Sequence, residues 1–446
     1  MDNATLIHRA EEAVALAKKA GADAADVLAL ASADISTSIR HGKPENIEQA
    51  ESCAIGLRVF VGEGSATLST SEFASGALAN LASNAVAIAR VAPADPFAKL
   101  ADASLISNHF KPLEAADESI PDIAELQAHA RRAEATGLAI KGITNSQGGS
   151  ASASHYHLAL VTSHGFSGAY SNARYAISAA FIAGDGDTMQ RDYEYAMTTH
   201  YSDLALPETV GAAAAERTIT RLNPRKLPSQ QATIYFEPRV GRQFLSAFAS
   251  AISGSSITRG TSFLKDALTT QIFAKNIRIT DDPLLKRGLA SRAFDAEGIA
   301  GQAMDFVDHG TLTSWLLDTR SANQLGMKTT GHASRGLASA PHPSTSNLYM
   351  HAGSQSPDEL FRTMGDGFYV TETIGHGTNI ITGDFSVGAS GFWLEGGKRA
   401  FPVSEVTIAS NLRAIFQSII PANDLEFRYG TNVPTLAVPR MTIAGN

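Results

Sequence analysis

The stretch GHGTNIITGDFSVGASGFWLEGG, residues 375–397, gathers glycines around His376, Asp384 and Ser390. A phosphate cradle would need GxxxxGK followed by Ser or Thr, or GxGxxG where a strand meets a helix, and Gly375, Gly377 and Gly383 supply neither. Ser390 lies in Gly388-Ala389-Ser390-Gly391, which is not the GxSxG of a nucleophile elbow, and the residues after it continue as strand. A zinc hydrolase needs converging imidazole or carboxylate ligands and a carboxylate to deprotonate the bound water. None of the 13 histidines is followed by glutamate, so HExxH and HExxxH are both absent. His155 and His157, two apart on an extended chain, would share a face. They could take a metal only with a third ligand from elsewhere; the alternative is two histidines on a solvated sheet face. Asp295 and Glu297 have the same spacing. They could do acid/base work or mark a turn before a hairpin. His376 is a lone histidine, and Asp384 suits a turn or a sheet edge.

The elements that would position these residues change character along the chain. Leu6, Ala10, Ala13 and Ala17 recur at helical spacing, with Lys18 and Lys19 near the helix's negative end and Gly21 as a stop. ADVLALAS and CAIGLRVFV read as strands, with a hairpin at Gly62–Gly64, and a long helix follows from about Glu72 to Ala92. A helix over IAELQAHARRAEA precedes strands KGITNSQ, ASHYHLALVTS, FSGAYSNARYAISAAFIAG and TMQRDYEYAMTTHY. Gly148-Gly149, His164-Gly165 and Gly184-Asp185-Gly186 read as their turns. With no helix-sized crossover between them, these strands are expected to be antiparallel. A helix from about Pro207 to Leu222 ends at NPRKLPSQQ, where two prolines and a polar shift mark a domain boundary. Beyond it come the strand ATIYFEP and the helix RVGRQFLSAFASAIS, with Phe244, Phe248 and Ile252 on one side. Strand and turn then dominate, except at SPDELFRTM and NLRAIFQSI. The expected fold is α+β: an N-terminal α/β domain with antiparallel sheet (1–225) and a mainly-β C-terminal domain with a few helices (226–446).

Composition narrows the classes. The 446 residues are 44% apolar and 18% charged, which suits a globular protein of two or three domains. The net charge of −8 and the lack of a Lys/Arg cluster argue against direct nucleic-acid binding. Cys53 is the single cysteine, so no internal disulfide can form, and its strand-like flanks suggest a buried structural thiol. The first 21 residues do not have the pattern of a signal peptide, and no run reaches the roughly 20 apolar residues that span a bilayer. A cytoplasmic protein without membrane association is expected.

The segment ETIGHGTNIITGDFSVGASGFWLEGGKRAFPVSEVTIASNL resembles the C-terminal signature of the TldD/PmbA family, and within it the PmbA, or TldE, branch. SCAIGLRVFVGEGSATLSTS, RKLPSQQATIYFEPRVGRQFLSAFASAISG, RGTSFLKDAL, RAFDAEGIAGQ and GTLTSWLLDTRSANQLG agree with it, collinearly over most of the chain. The resemblance implies a two-domain subunit of a cytoplasmic metallopeptidase assembly. In that family a TldD-type subunit carries HExxxH and the zinc, and a PmbA/TldE-type subunit pairs with it. The pair is implicated in processing a peptide antibiotic precursor and degrading an antitoxin; the older label, modulator of DNA gyrase, reflects genetics. Unfolded or extended peptide is the implied substrate, and backbone pairing would tolerate many sequences.

Counting back without gaps from Arg259-Gly260-Thr261-Ser262, the family's ligand positions fall on Leu245 and Ser250, and its general-base position on Ser246. The further cysteine ligand implied near the C-terminus has no counterpart in RYGTNVPTLAVPRMTIAGN. An aliphatic side chain cannot bind zinc and a neutral hydroxyl does so poorly. No histidine lies between His200 and His309, so no nearby shift restores the motif. The expectation is a non-catalytic subunit with no catalytic, cofactor or metal residue of its own. Zinc belongs to its TldD-type partner, and the chain forms a heterodimer or self-associates when isolated. The alternatives are an autonomous metallohydrolase built around His155 and His157, or a non-proteolytic assembly protein.

Overall fold

The computed structural model describes residues 1–106, 109–111, 113–375 and 377–445. Its first half runs α1 (Asn3–Ala20), β1 (Ala24–Arg40), β2 (Lys43–Val61), β3 (Gly64–Thr70), α2 (Ser75–Val91), α3 (Ile123–Leu138), β4 (Ile143–Thr162), β5 (Ser167–Ala183), β6 (Gln190–Thr198) and α4 (Pro207–Thr220). The strands form one sheet in the order β3-β2-β1-β4-β5-β6, antiparallel throughout.

Local signals set the first helix. Asp2 accepts from the Thr5 N–H at 2.9 Å, and Gly21 closes the far end at φ 102°. The strands are longer than the apolar runs that mark them. β1 and β2 extend to 17 and 19 residues because the polar segment 43–52 pairs through its backbone, where no apolar side chain is required. Their hairpin turns at His41-Gly42, both at positive φ, and Glu134 of α3 accepts both turn N–H groups at 2.8 and 2.9 Å. Gly148-Gly149 is not a turn. It lies inside β4, where KGITNSQ and ASHYHLALVTS join into one strand; the register shift just before it leaves Gln147 as the bulged residue, Gly148 and Gly149 pair with Ala180 and Ala179, and a Cβ on Gly149 would stand 2.2 Å from the Ala130 carbonyl of α3.

One face of this sheet carries the four helices. Alanines at positions 10, 13, 17, 29 and 85 let α1 and α2 approach it closely, and α3 and α4 pack over Ile177 and Phe181. On the opposite face Leu28, Leu158, Leu160 and Phe166 share a core with Ala293 and Phe294 from the second half. The Phe294 ring lies 4.9 Å from those of Phe110 and Phe166.

The second half continues with β7 (Gln230–Phe236), α5 (Pro238–Ile252), α6 (Gly254–Thr258), β8 (Ile279–Asp281), β9 (Met304–Asp308), β10 (Thr311–Leu312), α7 (Thr319–Leu325), β11 (Ala333–Ser334), β12 (His342–Pro343), β13 (Leu348–Met350), α8 (Pro357–Met364), β14 (Gly367–Ile374), β15 (Asp384–Glu395), β16 (Lys398–Asn411), α9 (Leu412–Ser418), β17 (Ile420–Pro421), β18 (Thr431–Asn432) and β19 (Leu436–Ala444). Strands β16-β15-β14-β7-β19 form a sheet that closes on itself, because β19 also pairs with β16; β17 attaches to β19. Closure removes the open edges a strand would otherwise expose. Alternate residues of all five strands, among them Phe236, Val370, Val387, Ile408 and Val438, join one core with α5 and α9. A smaller sheet of order β10-β9-β8-β13-β18 flanks it. The whole is α+β, with the helix-covered antiparallel sheet preceding the mainly-β half.

Candidate functional site

Helix α5 carries both a structural and a solvent-facing side. Pro238 opens it, where a missing N–H costs nothing. Phe244, Leu245, Phe248 and Ile252 are fully buried or nearly so, with the Phe244 ring 4.8 Å from Phe236 and the Phe248 ring 5.5 Å from Phe273. The opposite side presents Arg239, Arg242, Gln243, Ser246 and Ser250 at spacings of three and four. Together with Tyr193 of β6, Thr371–Thr373 of β14 and the following Gly375, Gly377, Thr378 and Ile380, these residues line a groove of about 680 Å³. A second hollow of about 400 Å³ shares Ser246 and Ser250 and extends the cleft along α5 toward Arg259 and His342.

Thr371 owes its position to a bulge. Val370 pairs with Gly391 and Glu372 with Ser390, which leaves Thr371 as the extra residue on β14. Its carbonyl accepts from Arg239 Nε at 3.2 Å, and its side chain is buried with an unpartnered hydroxyl. Across the bulge, a Cβ on Gly391 would lie 1.9 Å from the Tyr369 carbonyl, and one on Gly377 would lie 2.4 Å from the Ser386 carbonyl. Gly377 and Gly391 therefore serve close backbone approach, whereas Gly375 and Gly396 have open space around them and adopt positive φ.

A network of ions ties the groove wall to the N-terminal sheet. Asp192 of β6, 4% exposed, receives Arg239 at 2.9 Å and Arg221 at 3.2 Å. Arg217 pairs with Glu237 at 2.6 Å, Arg239 reaches Glu237 at 3.1 Å, and Arg221 also contacts Glu372. Burial works against the Asp192 charge, yet Arg239 and Arg217, with the Tyr193 N–H, hold its pKa below the ordinary carboxylate value. Arg242 stands outside this network. Its guanidinium lies 4.4 Å from the Tyr429 ring and its Nε donates to the Arg239 carbonyl at 3.1 Å, with no carboxylate in ion-pair range among the described residues.

The residues singled out from sequence fall in separate places. Leu245 is in the core, 0% exposed; only Ser246 and Ser250 reach the groove. Both hydroxyls donate back to the helix, to the carbonyls of Arg242 at 3.3 Å and Ser246 at 2.9 Å. This set does not fit a zinc ion: one position faces away and the other two carry neutral hydroxyls already engaged. Among the described residues no three His, Cys, Asp or Glu side chains converge in a way that could hold a metal.

His155 and His157 do share a face of β4, but it is the helix-covered side and not a solvated one. His155 Nε2 is 3.0 Å from both the Ser119 carbonyl and the Tyr175 hydroxyl, and His157 Nδ1 is 2.7 Å from Ser171 Oγ and 3.2 Å from Asn3 Oδ1. Burial depresses the His157 pKa, and the N-terminal amine and His155 add to this. Ser390 lies inside β15, opposite Glu372, in no nucleophile elbow. Asp384 opens β15 and accepts from Thr382 Oγ1 at 2.7 Å and Asn411 Nδ2 at 3.2 Å, as a turn residue does. Cys53 is half-buried in β2, and burial raises its thiol pKa. His376 lies outside the described residues.

Asp295 and Glu297 are buried where the two halves meet. Asp295 accepts from the Glu297, Ile299 and Ala333 N–H groups at 2.9 to 3.0 Å and so builds its turn. Glu297 accepts from the Thr319 N–H at 2.8 Å. Burial, then the neighbouring Asp295, push its pKa up to about 8.

Sequence reasoning missed Arg239, Arg242, Gln243 and Thr371. The spacing opposite the phenylalanine stripe marks the polar side of α5, but nothing local says that this side looks into a groove.

The comparisons with known proteins agree with this architecture. Family models described as PmbA/TldA metallopeptidase domain 1, central domain and C-terminal domain match residues 25–89, 116–222 and 229–445. The metalloprotease PmbA of Escherichia coli O157:H7 is 36% identical, over 98% of this chain and 96% of its own length. A crystal structure of a candidate modulator of DNA gyrase from Bacteroides thetaiotaomicron superposes with TM-score 0.91 at 27% identity, covering 98% of each chain. TldE from Thermococcus kodakarensis superposes with TM-score 0.85 over 98% of this chain and 100% of its own, and at 16% identity that likeness speaks to fold alone. The chain belongs to the PmbA/TldD metallopeptidase family, on its PmbA branch.

Proposed function

We propose that this chain is the PmbA/TldE-type subunit of a cytoplasmic TldD-type zinc metallopeptidase. In this reading it binds unfolded or extended peptide beside a zinc-bearing TldD-type partner and has no catalytic zinc of its own. Residues 1–225 and 226–446 are its two structural units. The observation that carries the proposal is the side of α5 that lines the groove. It offers guanidinium, amide and hydroxyl groups where an active subunit must offer imidazole and carboxylate.

Such a groove is suited to peptide. Its polar groups can meet backbone carbonyls, and the cleft continues past Ser246 and Ser250 into the second hollow, which favours a lengthy ligand over a compact one. The chain's own residues would hold the substrate and shield it from water, and the bond-breaking chemistry would belong to the partner. No helix among the described residues is long and apolar enough to cross a membrane, which is compatible with the proposed location.

The test is reconstitution. The purified chain is expected to carry no stoichiometric zinc and to leave a disordered peptide intact. Cleavage should appear on adding a TldD-type subunit that bears HExxxH, and a chelator should abolish it. Cleavage by the isolated chain that a chelator removes would overturn the proposal.

A further inference from the structure

The groove contains polar groups that the protein itself leaves unsatisfied. The Gln243 amide nitrogen and the Thr371 hydroxyl are buried without a partner, and both residues line the groove. Buried polar atoms in folded proteins are nearly always paired, since an orphan forfeits its bonds to water. Two orphans in one wall suggest a partner that arrives from outside. Thr371 is 4% exposed and fixed by its bulge, so its hydroxyl is held in place in advance.

Arg242 supplies the charge. The other groove arginine, Arg239, is occupied by Asp192 and Glu237, whereas Arg242 spends only its Nε on a carbonyl and leaves both terminal nitrogens open. Its guanidinium sits over the Tyr429 ring, 4.4 Å from the centroid, which helps hold it in place, and a planar cation with two parallel N–H groups matches a carboxylate. Glu372 lines the same groove, held by Arg221, and its negative charge disfavours a dianion such as phosphate more than a singly charged group.

We propose that this groove recognises a carboxylate of the bound peptide, with Arg242 as its ionic partner and Gln243 and Thr371 as its neutral hydrogen-bond partners. The inference rests on the peptide-binding reading above and adds to it a preference for a chemical class. The carboxylate is either the end of the peptide chain or an Asp or Glu side chain, since both present the same two oxygens.

Fluorescence anisotropy with the full chain separates these cases. Four versions of one labelled disordered peptide are compared: with a glutamate and a free C-terminus, with Glu→Gln, with a C-terminal amide, and with both changes. Removing the recognised carboxylate is expected to weaken binding by about tenfold or more, the usual scale for a charged hydrogen-bonded pair, and the version that weakens identifies the source. Arg242→Gln should bind all four versions at the level of the weakened one. Gln243→Leu and Thr371→Val should weaken binding of the carboxylate peptide while leaving the melting temperature unchanged or raised, because each removes an orphan that a purely structural residue would not be. Equal binding of all four versions by the wild-type chain would overturn the carboxylate inference and leave peptide binding intact. Competition by inorganic phosphate stronger than by acetate would also overturn it. Binding of none of the four, alone or with the partner subunit, would overturn both readings.

Discussion

Glu297 shows how one side chain records its surroundings. It is 3% exposed, and burial together with the neighbouring Asp295 outweighs the opposing charge of Arg58, so its carboxyl holds its proton well above the ordinary carboxylate range. The unfolded-state value is near 4.5 and the folded value about 8. A raised folded pKa gives stability that is complete below pH 4.5 and is lost as pH rises through 8. The melting temperature should therefore fall between pH 5 and pH 9. Glu297→Gln keeps the acceptor for the Thr319 N–H and removes the titration. It should flatten that profile and stabilise the protein at pH 9 by on the order of 1–3 kcal/mol. Thermal melts at pH 5, 7 and 9 check this, and parallel wild-type and variant curves would contradict it. At the same scale, Leu245 and Ser246 differ by one position yet face core and groove. A helix turns its side chains by about 100° per residue, so neighbours in sequence part company.

At the scale of elements, β14 and β15 depend on glycine for their spacing. A methyl group on Gly391 would sit 1.9 Å from the Tyr369 carbonyl, whereas on Gly388, three residues earlier in β15, the nearest atom is 3.4 Å away. Gly391→Ala is expected to cost about 3 kcal/mol, the upper end for overpacking, because backbone and not a flexible side chain must move. Gly388→Ala should stay within about 0.5 kcal/mol. Urea denaturation of the two variants side by side gives the contrast, and equal midpoints would mean that the strands are free to separate. The bulge that Gly391 opposes also places Thr371 in the lining of the groove, so a variant that re-registers β14 should lose binding along with stability.

Across the whole molecule, the two halves are joined by a buried ionic group as well as by the Phe294 cluster. Asp26 of β1 binds Arg58 of β2 through Nε at 2.8 Å and Arg335 of the second half through Nη1 at 2.5 Å, and all three are under 10% exposed. Burial opposes the Asp26 charge, but Arg335 and Arg58 outweigh it and hold its pKa low. Asp26→Ala would leave two guanidinium groups facing each other out of water, which costs about 3–5 kcal/mol. Equilibrium unfolding in urea should show that loss, and an unchanged midpoint would mean that the halves are held by apolar contacts alone.

Much of this architecture was legible in the chain. The amphipathic α1 with its Gly21 stop, the Gly62–Gly64 hairpin, the antiparallel character of β4 to β6 and the phenylalanine stripe of α5 all follow from periodicity and turn chemistry, which act between residues close in sequence. Residue type by itself also makes Leu245, Ser246 and Ser250 poor zinc ligands, since an aliphatic chain and two neutral hydroxyls offer a metal little. Local pattern could not give the full length of β1 and β2, the passage of β4 through Gly148-Gly149 with its bulge at Gln147, or the helix-covered side on which His155 and His157 lie. Each depends on which strand or helix becomes the neighbour. The same holds for the groove: Arg242, Gln243 and Thr371 lie more than 100 positions apart along the chain at the extremes, and only closure of the barrel around α5 sets them in one wall.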